Sequence, residues 1–401
     1  MPVQPIIGIG YPATPGKMLA PVRGRRLFAW ALVGSIAVFL LAVIATGGLV
    51  RSRAKQASQK EKIARAKRYL DEGHPTLALR TVRPIVDSDS EAGEALAVAG
   101  IALAALDQRA ASRVVLERAL KRQFEQPMAH KVLAAIYLSC GDYERGLTHL
   151  RAAADLEPRD ARPWIGIGKA YHDLGRFHES ADSYQAALHR DPGLREARIG
   201  FISMALKSRR PDRAAPQLLE ALEEAPDDPQ FLGLAGRHAH ALGHPEQAAS
   251  FAGRALALEP DNFDALIARA TSHLLSGESK NALVDLERAV AVNPDSMEAL
   301  RLLAQAESRL GLTERARKSI EHAQSIEERL LVFDRLTSAI AERPDDAEPR
   351  WRMGQVAAQA NMLEIAANSY RAALAIDPNC QPARDGLASL NVAHGGPPPS
   401  R

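Results

Sequence analysis

The chain has 401 residues, of which 5% are aromatic and 25% are charged, and its net charge is +3. No stretch shows alternating β-branched residues, so the composition predicts an all-α protein. The small net charge hides an asymmetry, because residues 1–68 carry twelve Lys and Arg against Glu61 alone, whereas the remainder carries 39 against 47 acidic residues. The acidic balance of that larger part argues against a nucleic-acid-binding protein.

The N-terminal region predicts a tail followed by a membrane span. Residues 1–22 contain five prolines and are expected to be an unfolded tail. Residues 27–50 are 24 consecutive residues without a charge. As a helix they would extend about 36 Å at ~1.5 Å per residue, enough to cross a hydrocarbon core of roughly 30 Å. We therefore predict a single transmembrane helix, with a cleaved signal peptide as the alternative.

Basic residues flank the predicted span on both sides. The compact sequence RGRR at 23–26 borders the apolar run directly, and a basic linker at 51–58 follows it. Because long domains are translocated largely regardless of charge, we favour a cytoplasmic N terminus with the rest of the chain on the opposite side. The linker is expected either to contact lipid headgroups or to be a solvated connection.

From residue 59 the chain repeats every 34 residues. Eight rows fit residues 59–330 without a gap, beginning at 59, 93, 127, 161, 195, 229, 263 and 297. Row positions 8, 20 and 27 are almost always small, and position 15 is glycine in six rows. Position 32 is proline in the five rows that contain Pro158, Pro192, Pro226, Pro260 and Pro294. A fixed period of this size predicts one small unit stacked into a solenoid.

Each row is predicted to hold two helices, A and B. Apolar residues at positions 4, 7, 8 and 11, and again at 20, 24, 27 and 28, follow the spacing of one helical face. The glycine at position 15 can end helix A in the left-handed conformation, and the proline at position 32 cannot continue helix B. Small residues at positions 8, 20 and 27 allow the two backbones to approach closely.

The period breaks once, before the last row. Residues 331–346 form an insertion without Gly or Pro until Pro344, and they predict either an extended helix or an extra unpaired one. A ninth row occupies 347–380, a capping helix is expected at 381–394, and residues 395–401 are expected to be an unfolded tail. Because rows of a solenoid touch only their neighbours, no disulfide is expected between Cys140 and Cys380.

The fourth row resembles the tetratricopeptide repeat family most closely. The matching residues are Trp164, Ile167, Gly168, Tyr171, Gly175, Phe177, Ala181, Tyr184, Ala187 and Pro192. The resemblance covers residues 59–330 and 347–380. It implies a right-handed α-solenoid of stacked antiparallel helix pairs, a superhelix that presents a concave groove.

The resemblance also places the groove lining at helix A positions 2, 5, 9, 12 and 13. The residues predicted to bind a partner there are Lys131, Leu138, Ile165, Lys169, His172, Ile199, Lys207, Arg237, His240, Ile267, Arg301, Arg309 and Trp351. This mixture suits a peptide or protein with apolar anchors and acidic residues. Ordinary solvated helix surface is the alternative for each residue.

No catalytic, metal or cofactor constellation is found in the sequence. His240 and His244 have the spacing of a helical metal pair, but Gly243 ends the helix between them. We therefore expect a non-enzymatic, membrane-anchored interaction scaffold or assembly factor, without cofactors. Single-span members that resemble this chain serve the bacterial cell envelope, which implies an inner-membrane location. The alternatives are a carrier of a lipid or small ligand in an apolar groove, and an enzyme with its site there.

Overall fold

A computed structural model describes residues 53–88, 92–122 and 124–393. Contacts divide the chain into two units, Met1–Arg65 and Ala66–Arg401. The predicted transmembrane segment at 27–50 and the two predicted tails lie outside the described residues. Among the helices that are described, none combines the length and the apolar character needed to cross a membrane.

The described residues form nineteen helices, and none of them lies in a β-strand. The helices are α1 (53–71), α2 (Pro75–Val86), α3 (Gly93–Ala105), α4 (Arg109–Lys121), α5 (Pro127–Ser139), α6 (Tyr143–Leu156), α7 (Arg162–Asp173), α8 (Phe177–Leu188), α9 (Arg195–Lys207), α10 (Pro211–Glu224), α11 (Pro229–Ala241), α12 (Pro245–Leu258), α13 (Phe263–Leu275), α14 (Ser279–Val292), α15 (Met297–Arg309), α16 (Thr313–Glu342), α17 (Glu348–Gln359), α18 (Leu363–Ile376) and α19 (Gln381–Ala393). The predicted all-α solenoid of helix pairs is confirmed.

Two elements differ from their predicted bounds. Helix α1, described from residue 53 onward, includes most of the segment predicted as a linker, because residues 53–58 contain no Gly or Pro and are mostly good helix formers. The insertion at 331–346 has no separate helix, since α16 runs through 30 residues without interruption. Of the two arrangements that the sequence allowed, the extended helix is the one observed.

The turn between helices A and B uses the left-handed backbone conformation in every row. The six glycines at row position 15 have φ between 71° and 81°. The three rows without this glycine place Asp107, Arg209 and Asn361 there, with φ of 57° to 58°. Rows with and without glycine therefore share one turn geometry. Asp107 and Asn361 are residue types that tolerate the left-handed conformation, whereas Arg209 is a type that disfavours it.

The core consists of the small columns and the apolar residues around them. Ala134, Ala187 and Ala255 are completely buried, as expected for positions where helices approach closely. A Cβ at Gly100 would lie 2.4 Å from Cγ of Leu116, so the α3–α4 joint has no space for a larger residue. Ile202, the one large residue at position 8, is also fully buried.

The ninth row contacts the second and third rows. Arg109 of α4 forms an ion pair with Glu364 of α18 at 2.7 Å. Ser369 Oγ donates to the carbonyl of Cys140 at 3.0 Å, and Thr337 Oγ1 lies 3.4 Å from the carbonyl of Gly141. We call this the closure contact. It corrects the expectation that rows touch only their neighbours, because the small rotation between rows accumulates along the array.

Candidate partner-binding groove

The basic residues at row position 9 are paired with acidic residues at position 2 of the next row. These residues are 27 positions apart in sequence, and stacking brings them onto adjacent A helices. The three pairs are Lys67–Glu94 (2.5 Å), Lys169–Glu196 (2.5 Å) and Arg237–Asp264 (2.9 Å). Arg237 also reaches Glu298, two rows away, at 2.8 Å. Two of the predicted groove cations, Lys169 and Arg237, therefore already have intramolecular partners.

Two further groove cations, at row position 5, pair with carboxylates of helix B, or of the turn after it, in their own row. Lys131 contacts Glu157 at 2.6 Å and Asp160 at 2.5 Å, and Arg301 contacts Glu327 at 2.8 Å. Burial alone would lower the pKa of Lys131, but hydrogen bonds to the two carboxylates raise it above its ordinary value. A partner that binds Lys131 would have to displace these carboxylates.

Lys207 differs from these four cations. Its Nζ lies 3.2 Å from Nε2 of His172 and 5.5 Å from the ring centroid of Phe177. Within the part of the chain that the structure describes, no carboxylate lies within ion-pair distance of Lys207. Burial and then the charge of Arg237 lower the pKa of Lys207, although Asp264 and Glu298 act in the opposite direction.

His240 extends this basic region along α11. Its Nδ1 is buried and has no hydrogen-bond partner among the described residues. Burial and then the charge of Arg237 lower the pKa of His240. We call His172, Lys207, Arg237 and His240 the Lys207 cluster. The structure thus brings together four predicted residues from three consecutive rows. Asp264 and Glu298 pair directly with Arg237, and Lys207 has no carboxylate within ion-pair distance among the described residues.

The apolar residues predicted for the groove lie mostly inside the protein. Ile165 is 7% exposed and Ile267 is 2% exposed, and both belong to hydrophobic clusters that include residues of neighbouring rows. Ile199 and Leu138 are half-buried, and Leu138 packs against Gly146 of the paired helix. The expectation that Ile165 and Ile267 are presented to a partner is wrong, because packing between adjacent rows covers them.

The last two predicted residues serve local structure. Arg309 donates to the carbonyl of Leu274 at the end of α13, where a cation satisfies a free helix carbonyl. Trp351 is half-buried and lies beneath the guanidinium of Arg352, 5.6 Å from the ring centroid. Neither residue is joined to the Lys207 cluster by a contact.

A second set of row-to-row contacts was missed from the sequence. Arg254 donates to the carbonyl of Pro226 at 2.9 Å and to Asp227 at 2.8 Å. Arg288 makes the equivalent bonds to Pro260 at 2.7 Å and to Asp261 at 2.6 Å. The signal that would have found them is a Pro-Asp pair at positions 32 and 33 followed 27 residues later by arginine.

The geometry defines a class: a solenoid of helix pairs whose A helices present a polar groove. A comparison with known families supports the helix-pair repeat. The family model described as tetratricopeptide repeat matches residues 132–194, 203–263 and 267–325, which is less than half of the chain. These segments are similar to tetratricopeptide repeats, and proteins built from such repeats are generally protein-interaction scaffolds that bind other proteins or peptides.

Individual relatives are distant. Superkiller protein 3 of Schizosaccharomyces pombe is 29% identical over 76 residues, which is 19% of this chain and 6% of that protein. A tetratricopeptide repeat protein from Parabacteroides merdae is 15% identical, covers 62% of this chain and 99% of its own, and has a TM-score of 0.41. YrrB, described as a TPR protein with an unusual peptide-binding site, is 22% identical, covers 46% and 95%, and has a TM-score of 0.36.

Proposed function

We propose that this chain is a membrane-anchored scaffold or assembly factor that binds an acidic segment of a partner protein at the Lys207 cluster. The observation that carries the proposal is Lys207, a cation in the groove without a carboxylate partner. Four other groove cations show what satisfies such a group here, because each of Lys131, Lys169, Arg237 and Arg301 holds at least one Asp or Glu. Arg309 donates instead to the carbonyl of Leu274. A partner carboxylate would complete the same arrangement at Lys207.

The same geometry argues against the alternative of a lipid carrier. A lipid needs a continuous apolar surface, and the isoleucines that the sequence offered for it, Ile165 and Ile267, are buried in the core. An acidic peptide instead gains from a partly buried cation, because charge-assisted hydrogen bonds are stronger where water is excluded. The proposed partner segment therefore carries Asp or Glu and depends on charge more than on apolar anchors.

Site-specific cross-linking tests the groove. A photo-reactive residue at the position of His240 is expected to capture a protein partner in cells, whereas the same residue at the position of Arg254 on α12 is the matched control. The captured peptide is expected to contain Asp or Glu. Capture from the α12 position alone, or a captured peptide without acidic residues, would contradict the proposal.

Titration of the captured partner then tests Lys207 itself. Lys207→Glu is expected to weaken binding by at least about tenfold, since a charged hydrogen bond contributes roughly 1.5–3 kcal/mol. Arg254→Glu changes charge equally but lies outside the cluster, so it is expected to change affinity less than about twofold. Equal losses in the two variants would show that net charge, and not the site, drives binding.

The membrane anchor is proposed from the sequence of residues 27–50. Twenty-four residues without a charge are long enough to span a bilayer. The full chain is expected to remain in the membrane pellet after alkaline carbonate extraction, and a chain that starts at residue 53 is expected in the supernatant. Release of the full chain would refute the anchor without affecting the groove. We propose an envelope location with the N terminus in the cytoplasm, which protease accessibility of the repeats tests.

A further inference from the structure

A small cavity lies inside the closure contact. It has a volume of about 60 Å³ and is lined by residues of α4, α5 and α6 on one side and of α17 and α18 on the other. This is enough space for a few water molecules or one small polyatomic ion. The cavity is separate from the Lys207 cluster and shares no residue with it.

The lining is unusually rich in arginine. Five arginines contribute to it: Arg109, Arg113, Arg145, Arg350 and Arg371. Asp142 is the single carboxylate in the lining, and it is 2% exposed. Asp142 pairs closely with Arg145, while its Oδ2 lies 3.7 Å from Nη2 of Arg350. One carboxylate therefore stands between two guanidinium groups.

Carboxylates outside the cavity compensate for only part of this charge. Arg109 pairs with Asp107 at 2.9 Å and with Glu364 at 2.7 Å. Arg113 lies 3.9 Å from Glu117, and Glu117 also accepts from the hydroxyl of Tyr137. The remaining arginines depend on Asp142 and on neutral oxygen acceptors, so the cavity holds an excess of positive charge.

Several donors in the lining have no acceptor among the described residues. Arg350 is 3% exposed, and its Nη2 makes no hydrogen bond, although its Nη1 donates to the carbonyl of Asp346. Asn368 is 6% exposed, and its Nδ2 is unpartnered while its Oδ1 accepts from Arg371. Nε of Arg113 is also unpartnered. Burial and then the charge of Arg145 lower the pKa of Arg350.

We propose that this cavity binds a small oxyanion, a phosphate group in particular, which joins the second and ninth rows. Nη2 of Arg350, Nδ2 of Asn368 and Nε of Arg113 make no hydrogen bond among the described residues, and an oxyanion supplies several acceptor oxygens to such donors. Arginine is well suited to phosphate, because its planar fork donates two parallel hydrogen bonds. A neutral ligand would leave the buried guanidinium groups uncompensated.

Binding in this place has a structural consequence. The donors come from both sides of the closure contact, so an oxyanion would bridge helices that are far apart in the chain. A ligand that binds only the closed arrangement stabilises it by mass action. Phosphate would therefore regulate whether the ninth row stays packed on the second and third rows.

Thermal unfolding of the full-length chain tests the proposal, with inorganic phosphate compared against chloride at equal ionic strength. Phosphate is expected to raise Tm of the wild-type protein and to slow hydrogen exchange in α17 and α18. Arg350→Gln is expected to remove both effects. Arg254→Gln on α12, which leaves the cavity intact, is the control and is expected to respond like the wild type.

Without phosphate, Arg350→Gln is not expected to have a lower Tm than the wild type. Because Arg350 is then a buried cation with one distant carboxylate, Arg350→Gln is expected to leave Tm unchanged or to raise it. Arg371→Gln removes a lining arginine whose residue is exposed, and it is expected to weaken phosphate binding about tenfold, at 1.4 kcal/mol per tenfold change, without a loss of folding. This variant keeps the test valid if Arg350→Gln does not fold.

Two phosphate sources are distinguished by the probe. Inorganic phosphate that protects the protein indicates the free ion, whereas protection by glycerol 3-phosphate alone indicates a phosphate carried on a larger molecule. Either result supports the site. The proposal is overturned if neither inorganic phosphate nor glycerol 3-phosphate raises Tm more than chloride does, or if wild type, Arg350→Gln and Arg254→Gln gain equally.

Discussion

The closure contact can be tested with one methyl group at Gly141. This glycine ends α5 with φ of 75°, and a Cβ there would lie 2.9 Å from Cγ of Met353 and 3.1 Å from its sulfur. Gly175 occupies the same row position with φ of 71°, and nothing lies within 4 Å of its Cβ. Gly141→Ala and Gly175→Ala therefore introduce the same backbone strain, and only the first one disturbs the closure contact.

The expected energies follow from these two differences. An alanine in the left-handed conformation costs about 1–2 kcal/mol in either variant. Gly141→Ala adds an overpacking cost of about 1–3 kcal/mol, since the clash involves the middle of the Met353 side chain and not only its flexible end. The smaller entropy of the unfolded alanine chain is common to both variants and cancels in the comparison.

Guanidinium chloride unfolding measures the two free energies, and hydrogen exchange of α17 and α18 locates the loss. Gly141→Ala is expected to be less stable than Gly175→Ala by about 1–3 kcal/mol, with faster exchange in the ninth row. Gly243→Ala, whose Cβ also has nothing within 4 Å, should match Gly175→Ala. A difference below about 0.5 kcal/mol between the two free energies of unfolding would show that the ninth row does not pack tightly against the third.

Three further predictions concern single residues. Arg209→Gly is expected to stabilise the protein by about 0.5–1 kcal/mol in denaturant unfolding, because Arg209 has φ of 58° and glycine relieves that strain; a loss of stability would contradict it. Arg237→Met is expected to lower the free energy of unfolding by about 1–3 kcal/mol, because the Arg237 side chain is 10% exposed and two carboxylates lose their partner. Lys169→Met removes an exposed, weak ion pair and should lower it by less than about 1 kcal/mol. Equal losses in the two variants would refute the reasoning. Burial, followed by the charge of His130, lowers the pKa of His149 from 6.5 to about 4. Between these two pH values the unfolded chain binds a proton at His149 that the folded chain does not, so the free energy of unfolding is expected to fall as the pH drops from 6.5 to about 4. Unfolding curves of His149→Gln should show a shallower decline over the same pH range.

The sequence predicted the helices well because their determinants are local. Gly141, Gly175 and the other position-15 glycines end helix A. In the rows with a proline at position 32, that proline stops helix B, as observed at Leu156 before Pro158. Each of these residues acts on its own backbone within a few positions. Because the period is 34 residues throughout 59–330, the positions of helices A and B in one well-matched row are sufficient to assign the helices of the others.

The candidate groove was predicted less well, because its chemistry depends on distances between rows. Within its own row Arg237 has no nearby acid, and Lys169 has only Asp173 four residues ahead, so one row alone does not reveal the observed partners. Their partners lie 27 positions ahead and become neighbours only when the rows stack. The signal that would have singled out Lys207 is the absence of an acidic residue 27 positions ahead of it. Finding that signal requires a comparison between rows and not within one row.

The closure contact joins rows that are separated by several others. The arginine cavity could therefore not be predicted from one row or from two adjacent rows. Arg113 and Arg145 belong to the second and third rows, and Arg350 to the ninth, so their approach depends on the rotation summed over the intervening rows. An error of a few degrees per row would separate these helices completely. Arg350, which is 3% exposed, thus becomes a buried cation only where the ninth row packs on the second and third rows. The burial cost of such a charge is the physical reason to expect an added anion to stabilise the closure contact.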